Sequence, residues 1–368
     1  MIPRPARVVA AVPAARPFIG PEELARRVGR RELIRLGANE SAFGPPPAAL
    51  AAMQAELAHT AWYGDPESAE LRAALAARHG VHVEEILVAS GIDELLALVV
   101  RAYLGDGEIA VATHGTYPTF AYHVTGFGSK VASVPYRDDG RVDLPALAAL
   151  AQRERPRIVY LANPDNPSGT LAAASDVAAF LAALPRESLV ILDEAYADFV
   201  PPEDVFVPDS DPRVVRMRTF SKAYGLAGAR IGYALARRET IATLGKIRLQ
   251  YGVNRTAQVG ALAALAEHGF IADVVAEVAR GRAEYAALAQ RLGVRMVPST
   301  TNFVCFDLGS RARAEAMVEA FLQNGIFIRK PGAPPLDGCI RVTVGAPAQR
   351  AAFAEVFAEL VASQAPPR

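Results

Sequence analysis

The stretch Thr219-Phe220-Ser221-Lys222-Ala223-Tyr224-Gly225-Leu226-Ala227-Gly228-Ala229-Arg230 carries the most distinctive chemistry in the chain. Lys222 sits in a hydroxyl-rich, glycine-punctuated turn after an apolar strand, and Arg230 follows eight positions on. An amine that condenses with a carbonyl must be held near it, among neighbours that depress its pKa. Thr219, Ser221 and Arg230 suit a second task, gripping a phosphate through hydroxyl donors and a fixed cationic fork. An aldehyde-accepting lysine beside a phosphate grip is what pyridoxal 5'-phosphate requires. A lysine exposed in a polar turn is the ordinary alternative, and one motif alone does not separate the two.

Other residues supply the company that such a lysine needs. Asp193 closes the all-apolar run Leu189 to Leu192, and a buried carboxylate there needs a partner. A protonated pyridine nitrogen is one candidate, and a structural cation is the other. Tyr196, three residues on, and the amide of Asn166 could each donate to a phenolic oxygen on such a ring. Asn166 lies in the proline-bracketed turn Asn163-Pro164-Asp165-Asn166-Pro167-Ser168-Gly169-Thr170, which is rigid enough to fix an amide. Ser90-Gly91-Ile92-Asp93 opens a helix whose N–H groups can hold an anion. Tyr117 could stack on a ring face or serve as a plain core aromatic. Arg341 lies inside the apolar run Cys339 to Val344, where a bidentate carboxylate partner is expected, either a substrate's or a structural Asp or Glu. Arg329 and Lys330 add positive charge after another short strand, suited to an anionic substrate tail or simply to solvent.

The elements that must position these residues read as follows. Short apolar strands at Ile86–Ala89, 108–112, 131–134, 158–161, 189–192 and 214–217 alternate with helices at 95–103, 116–125, 146–152 and 172–184. That alternation predicts an α/β fold with a mostly parallel central sheet covered by helices on both faces. Ligands of such sheets lie at the carboxyl ends of the strands. Asp93, Tyr117, Asn166, Asp193 and Lys222 all fall at or just after a predicted strand end. Beyond about Tyr251 the pattern changes to a long helical region, 256–291, followed by strands at 294–297, 302–306, 326–328 and 339–344. Helices at 312–323 and 348–361 are interleaved with these strands. The expected division is a larger unit over 41–250 and a smaller α+β unit made of 1–40, with its proline-rich arm and a short helix around 22–30, and 251–368.

Composition restricts the function classes. The chain has 368 residues, enough for two unequal cores, and is 51% hydrophobic and 21% charged. Lys+Arg 39 balance Asp+Glu 39, so there is no electrostatic reason to expect a nucleic-acid partner. Cys305 and Cys339 cannot make a disulfide framework, and both read as core thiols, with a reducing cytoplasm as the expected compartment. Pro3, Pro5 and Pro13 break the N-terminal stretch, which lacks the apolar run of a signal peptide. No run approaches the ~20 apolar residues of a membrane span, and no metal is called for.

Three motifs occur in order: Asn-Pro-x-Asn-Pro-Ser-Gly-Thr at 163–170, Asp-Glu-Ala-Tyr at 193–196, and Ser-Lys-x-x-Gly-Leu-Ala-Gly-x-Arg at 221–230. With them the chain resembles the fold-type-I, class I/II aminotransferases that depend on pyridoxal phosphate. Within that family it most resembles the histidinol-phosphate branch, from Leu36-Gly37-Ala38-Asn39-Glu40 to Arg341-Val342-Thr343-Val344-Gly345. The resemblance implies that Lys222 carries the cofactor and then shuttles a proton between the substrate Cα and cofactor C4′. It assigns Asp193 to the pyridine nitrogen, Tyr196 and Asn166 to the phenolic oxygen, and Tyr117 to the ring face. Ile92, Asp93, Thr219, Ser221 and Arg230 would surround the phosphate. Tyr63 would reach the phosphate in a neighbouring subunit, which implies a homodimer with shared sites. Arg341 would grip a substrate carboxylate, with Asn39 and Arg329 near the substrate.

The implied activity is amino transfer between an amino acid or amino-alcohol phosphate and a 2-oxo acid, with histidinol phosphate and the 2-oxoglutarate/glutamate pair as the expected partners. Aromatic amino acids are the neighbouring choice, and same-fold decarboxylases and arginine oxidases resemble this branch too. A non-catalytic ligand sensor fused to a DNA-binding module is disfavoured by the short N-terminus and the charge balance. The chain departs from the branch at Ser41-Ala42-Phe43, where Asn-Pro-Tyr is usual, at Ile92, where a small or polar residue is usual, and at the more basic Arg329-Lys330-Pro331-Gly332.

Overall fold

A computed structural model describes residues 2–10, 12, 19–207 and 211–363. Residues 1, 11 and 13–18 of the expected N-terminal arm lie outside the described residues.

A seven-stranded sheet forms the centre, in the order Ile86–Ala89, Gly232–Leu235, Val214–Thr219, Leu189–Asp193, Ile158–Ala162, Ile109–Thr113, Lys130–Val134. Pairing is parallel from Val214–Thr219 through to Lys130–Val134. Gly232–Leu235 runs antiparallel to both of its neighbours. The reversal follows from the connection: parallel neighbours need a crossover of a dozen or more residues, usually a helix, whereas the short link 220–231 simply turns the chain back. Phe220 N–H donates to the Ile231 carbonyl at 3.2 Å, closing the mouth of this link. Lys222 is thereby held at the carboxyl end of Val214–Thr219.

The central strands are buried on both faces, which is why they read as continuous apolar runs instead of alternating ones. On one face Leu95, Leu96, Val99 and Val100 of the helix Ile92–Tyr103 pack on Ile158, Tyr160 and Ile191. On the other, Leu147 and Leu150 of Leu144–Glu154 and Val177 and Phe180 of Ala174–Ala183 pack on Val159, Leu161 and Val190. Two smaller sheets stand apart. One is antiparallel, in the order Cys339–Thr343, Phe303–Asp307, Arg295–Val297, and the other pairs Ile34–Arg35 with Ile326–Phe327 in parallel. Stacked and tilted rings of Phe306, Phe321, Phe353 and Phe357 fill the space behind the antiparallel sheet. Cys305 and Cys339 are fully buried thiols, as expected of core residues.

Three local differences from the sequence reading matter. The helical region 256–291 is two helices, Arg255–Ala266 and His268–Leu292, bent by 81° at Glu267, whose ψ of 55° takes it out of the helical range. Among the described residues no single helix is long and apolar enough to cross a membrane; only this bent pair passes that test together. The helix expected from Leu95 begins instead at Ile92, after Gly91 at φ 90°, so the N–H groups of Ile92, Asp93 and Glu94 form its open first turn. Arg238–Gly245 is an additional short helix that the sequence reading did not anticipate.

Candidate active site

The strand ends converge on a cavity of about 610 Å³, within the range of small-molecule sites. Its walls include Asn39, Ile92, Asp93, Tyr117, Asn166, Asp193, Tyr196, Thr219, Ser221, Lys222, Arg230, Arg329 and Arg341. Every site residue expected from the sequence therefore lines one cleft, with the exception of Tyr63. The Tyr63 ring is 76% exposed, lies outside the cleft, and packs on Tyr251 with centroids 4.5 Å apart. A large aromatic pair left in solvent is unusual for a closed monomer surface.

Lys222 donates to the Asn39 carbonyl at 3.1 Å, and its Nζ stands 5.5 Å from the centroid of the Tyr196 ring. Burial, followed by the positive charge of Arg341, pulls its ammonium pKa down to about 8. A substantial neutral fraction near physiological pH makes this amine nucleophilic and able to take up a proton. Asn39 itself is 2% exposed and holds a left-handed φ of 56°. Its carbonyl also accepts from Asn302 Nδ2 at 3.1 Å, and its own Nδ2 donates to Tyr196 Oη at 2.9 Å. The amine, the asparagine and the tyrosine are thus one hydrogen-bonded unit.

Asp193 is 4% exposed. Tyr160 Oη donates to its Oδ2 at 2.7 Å and Ala195 N–H to its Oδ1 at 3.0 Å. No cation pairs with it among the described residues. Burial is the chief reason its pKa is pushed up to about 6. A carboxylate so placed lacks a positive partner, and a protonated ring nitrogen would supply one. Tyr160 was not singled out from the sequence, although it is the one polar side chain in the apolar strand Ile158–Ala162.

An anion corner lines the same cleft. Ser221 N–H donates to Thr219 Oγ1 at 3.0 Å, and the two hydroxyls are 2.9 Å apart. Arg230, at φ 58°, brings Nη2 to 3.8 Å from Asp93 Oδ2. A Cβ built on Gly91 would meet Arg230 Nη2 at 2.7 Å, so glycine is what lets the guanidinium lie against the helix entrance. That helix has no side-chain cap, and its free N–H groups favour negative charge. Tyr117 Oη donates to Asp93 Oδ1 at 2.8 Å, which tethers the ring at the cleft wall, and burial keeps the phenol protonated.

Arg341 Nη1 donates to Asn166 Oδ1 at 2.6 Å and Nη2 to the Gly37 carbonyl at 3.1 Å. Its guanidinium carbon lies 5.2 Å from the centroid of the Phe303 ring, and its buried Nε has no partner among the described residues. Of the two partners open to it from the sequence, no structural Asp or Glu takes it among the described residues. Arg329 donates to the Ile19 carbonyl at 3.1 Å, lies over the Phe327 ring and faces the same cleft. Lys330 Nζ lies 3.4 Å from Glu315 Oε1.

The profile of the family "Aminotransferase class I and II" matches residues 31–357. The chain belongs to the class I and II aminotransferase family. It is 37% identical over 361 residues to the histidinol-phosphate aminotransferase of Roseiflexus castenholzii, covering 96% of each. To histidinol-phosphate aminotransferase 2 of Ralstonia nicotianae it is 38% identical over 339 residues, covering 90% of each. The crystal structure of histidinol-phosphate aminotransferase from Sinorhizobium meliloti in complex with pyridoxal-5'-phosphate matches with a TM-score of 0.95 at 42% identity, over 99% of both chains. A Thermus thermophilus aspartate aminotransferase double mutant shares the fold at TM-score 0.80 and 22% identity, over 98% of this chain and 100% of that one. The chain is thus an aminotransferase of pyridoxal-phosphate fold type I, acting on small molecules, and it lies in the histidinol-phosphate branch of the family.

Proposed function

We propose that this enzyme exchanges the amino group of histidinol phosphate with the 2-oxoglutarate/glutamate pair, using pyridoxal 5'-phosphate held in the cleft. The observation that carries the reading is that the Lys222 amine shares one cleft with the buried carboxylate of Asp193, which has no cation partner among the described residues, and with the anion corner of Thr219, Ser221 and Arg230. The donor set fits the group. Asp193 offers a negative charge for a ring nitrogen, and Tyr196 and Asn166 offer donors for a phenolic oxygen. Tyr117 offers a ring face, and the Ile92–Asp93 helix entrance with its hydroxyls and guanidinium receives a phosphate. When bound, the cofactor supplies the aldehyde that accepts the amine and a ring that withdraws the electron pair from the substrate Cα.

The protein's part is positioning and proton transfer. Lys222, with its lowered pKa, is suited to take the proton from the substrate Cα and return it at cofactor C4′. Asp193 is mostly ionised at neutral pH, and a cation opposite it lowers its pKa further, so the ring nitrogen stays protonated. Arg341 presents a fixed guanidinium plane, with an Nε that has no partner among the described residues, to a substrate carboxylate, while Arg329 adds positive charge for an anionic tail. Asn39 holds Lys222 and Tyr196 in register.

Three further elements belong to this reading. The exposed Tyr63–Tyr251 pair supports a homodimer in which Tyr63 reaches the neighbouring phosphate site. A larger unit over 41–250 and a smaller one of 1–40 with 251–368 agree with the strands: the seven-stranded sheet draws on 86–235 and the small sheets on 34–35 and 295–343. Two buried free thiols are in keeping with a cytoplasmic setting. The direct test is to titrate purified protein with pyridoxal phosphate. A visible absorption band should appear with the parent chain and be absent from Lys222→Ala; a band retained by the variant would remove Lys222 from its role.

A further inference from the structure

One buried carboxylate lies next to the cleft and takes no part in the chemistry above. Asp165 is 1% exposed, and among the described residues no cation pairs with it. Tyr136 Oη donates to Oδ2 at 3.0 Å and lies 3.2 Å from Oδ1. Ser168 donates to Oδ2 twice, from N–H at 3.0 Å and from Oγ at 2.6 Å, and Thr116 Oγ1 lies 3.3 Å from Oδ1. The donors come from three separate segments: the loop just past the edge strand Lys130–Val134, the residue before Tyr117, and the turn just past Asn166. Backbone bonds close the same turn, with Asp165 N–H on the Thr170 carbonyl at 2.8 Å and Gly169 N–H on the Asp165 carbonyl at 2.9 Å.

A buried carboxylate without a counter-cation is a costly way to fill space, and an apolar residue would fill it more cheaply. What the carboxylate adds is direction, because each donor must point at it. Asn166, one residue on, accepts from Arg341 through Oδ1, which leaves its amide NH₂ for the phenolic oxygen of a bound ring. Thr116 precedes Tyr117, the residue facing the ring. A single carboxylate therefore fixes the two cofactor-facing side chains and, through Asn166, the substrate-gripping arginine.

We propose that Asp165 is a positioning residue that sets Asn166, Tyr117 and Arg341 in register for both cofactor and substrate. This rests on the aminotransferase reading. It implies that loss of the Asp165 anchor changes the electronic state of the bound cofactor and the grip on a carboxylate, and not merely the stability of the fold.

The test uses full-length, cofactor-loaded Asp165→Asn, with Tyr136→Phe as a milder removal of one donor. Three quantities are read: the pH midpoint of the visible band, KM against kcat for glutamate, and the melting temperature. A donated hydrogen bond favours the deprotonated phenolic oxygen, so displacing the Asn166 amide should raise the midpoint by about half a pH unit or more. KM for glutamate should rise about fivefold or more through a mispositioned Arg341, with kcat falling less. A lowered melting temperature with midpoint and KM unchanged would overturn the proposal and leave Asp165 a structural residue only. Should Asp165→Asn fail to fold, the same readings on Tyr136→Phe decide, with a shift in the same direction expected and no shift refuting. Failure of the parent chain to bind pyridoxal phosphate or to exchange amine with glutamate would instead sink the aminotransferase reading itself.

Discussion

Replacing Arg341 by alanine tests the carboxylate grip, because an amino donor that carries the carboxylate can be compared with one that has no anionic group there. Glutamate presents an α-carboxylate, whereas unphosphorylated L-histidinol carries an uncharged hydroxymethyl group at that position, which in histidinol phosphate bears the phosphate ester. The Arg341 guanidinium is fixed by Asn166 Oδ1 at 2.6 Å, the Gly37 carbonyl at 3.1 Å and the face of Phe303, and its Nε has no partner among the described residues. A carboxylate docked there forms two charge-assisted hydrogen bonds, each contributing about 1.5–3 kcal/mol. At 1.36 kcal/mol per factor of ten, their loss lowers the second-order rate of the glutamate half-reaction by about 10²–10⁴. A hydroxymethyl group loses one ordinary hydrogen bond, so the slower L-histidinol half-reaction falls by only about tenfold. Disturbance of Asn166 lowers both rates alike, so the ratio of the two losses isolates the carboxylate contact. Stopped-flow decay of the visible band, one amino donor at a time, gives both constants. Losses equal within about threefold would refute the assignment and move the carboxylate site elsewhere.

Three more outcomes are expected. Capture of pyridoxal phosphate by the cofactor-free protein needs a neutral Lys222, so its rate should rise about tenfold per pH unit below about 8 and level off above it; a rate flat in pH contradicts the assigned amine. In the cofactor-free fold the Asp193 carboxyl keeps its proton up to about 6, against 3.8 ordinarily, so its contribution to stability is complete below about pH 4 and declines as pH rises through 6. That loss is about 3 kcal/mol, and it should appear as a difference in urea unfolding between the parent and Asp193→Asn across this window; parallel pH curves would contradict it. Tyr63→Ala and Lys222→Ala homodimers should each be weak, yet mixed subunits should regain activity at the site that carries neither change; no recovery on mixing would argue against shared sites.

Much of this site was legible because the fold collects it at one edge. Lys222, Asp193, Asn166 and Tyr117 each follow a strand whose apolar run is unmistakable, and parallel strands bring their carboxyl ends together. Arg341 stood out as a charge within an apolar strand. Asp165 and Tyr160 were harder to place, since a polar residue in a turn and a tyrosine in a strand look ordinary until their partners are known. Those partners, Tyr136 and Asp193, lie 29 and 33 residues away in sequence and meet them only in the folded chain. The bend at Glu267 was invisible for a different reason: the apolar spacing continues across it, and only the backbone angle interrupts the helix. The start of the Ile92 helix was read three residues late because Ile92-Asp93-Glu94 resembles a turn; Gly91, with its positive φ, is what sets the boundary.

The measurement that tests the central claim most directly is a single turnover of the cofactor-loaded enzyme with L-histidinol phosphate, run with and without oxygen. The account predicts rapid loss of the visible band, independent of oxygen, and its return on adding 2-oxoglutarate, with the same cycle starting from glutamate. Silence with histidinol phosphate alongside turnover of an aromatic amino acid would contradict the proposed substrate. Long-wavelength absorption that depends on oxygen would contradict amino transfer altogether.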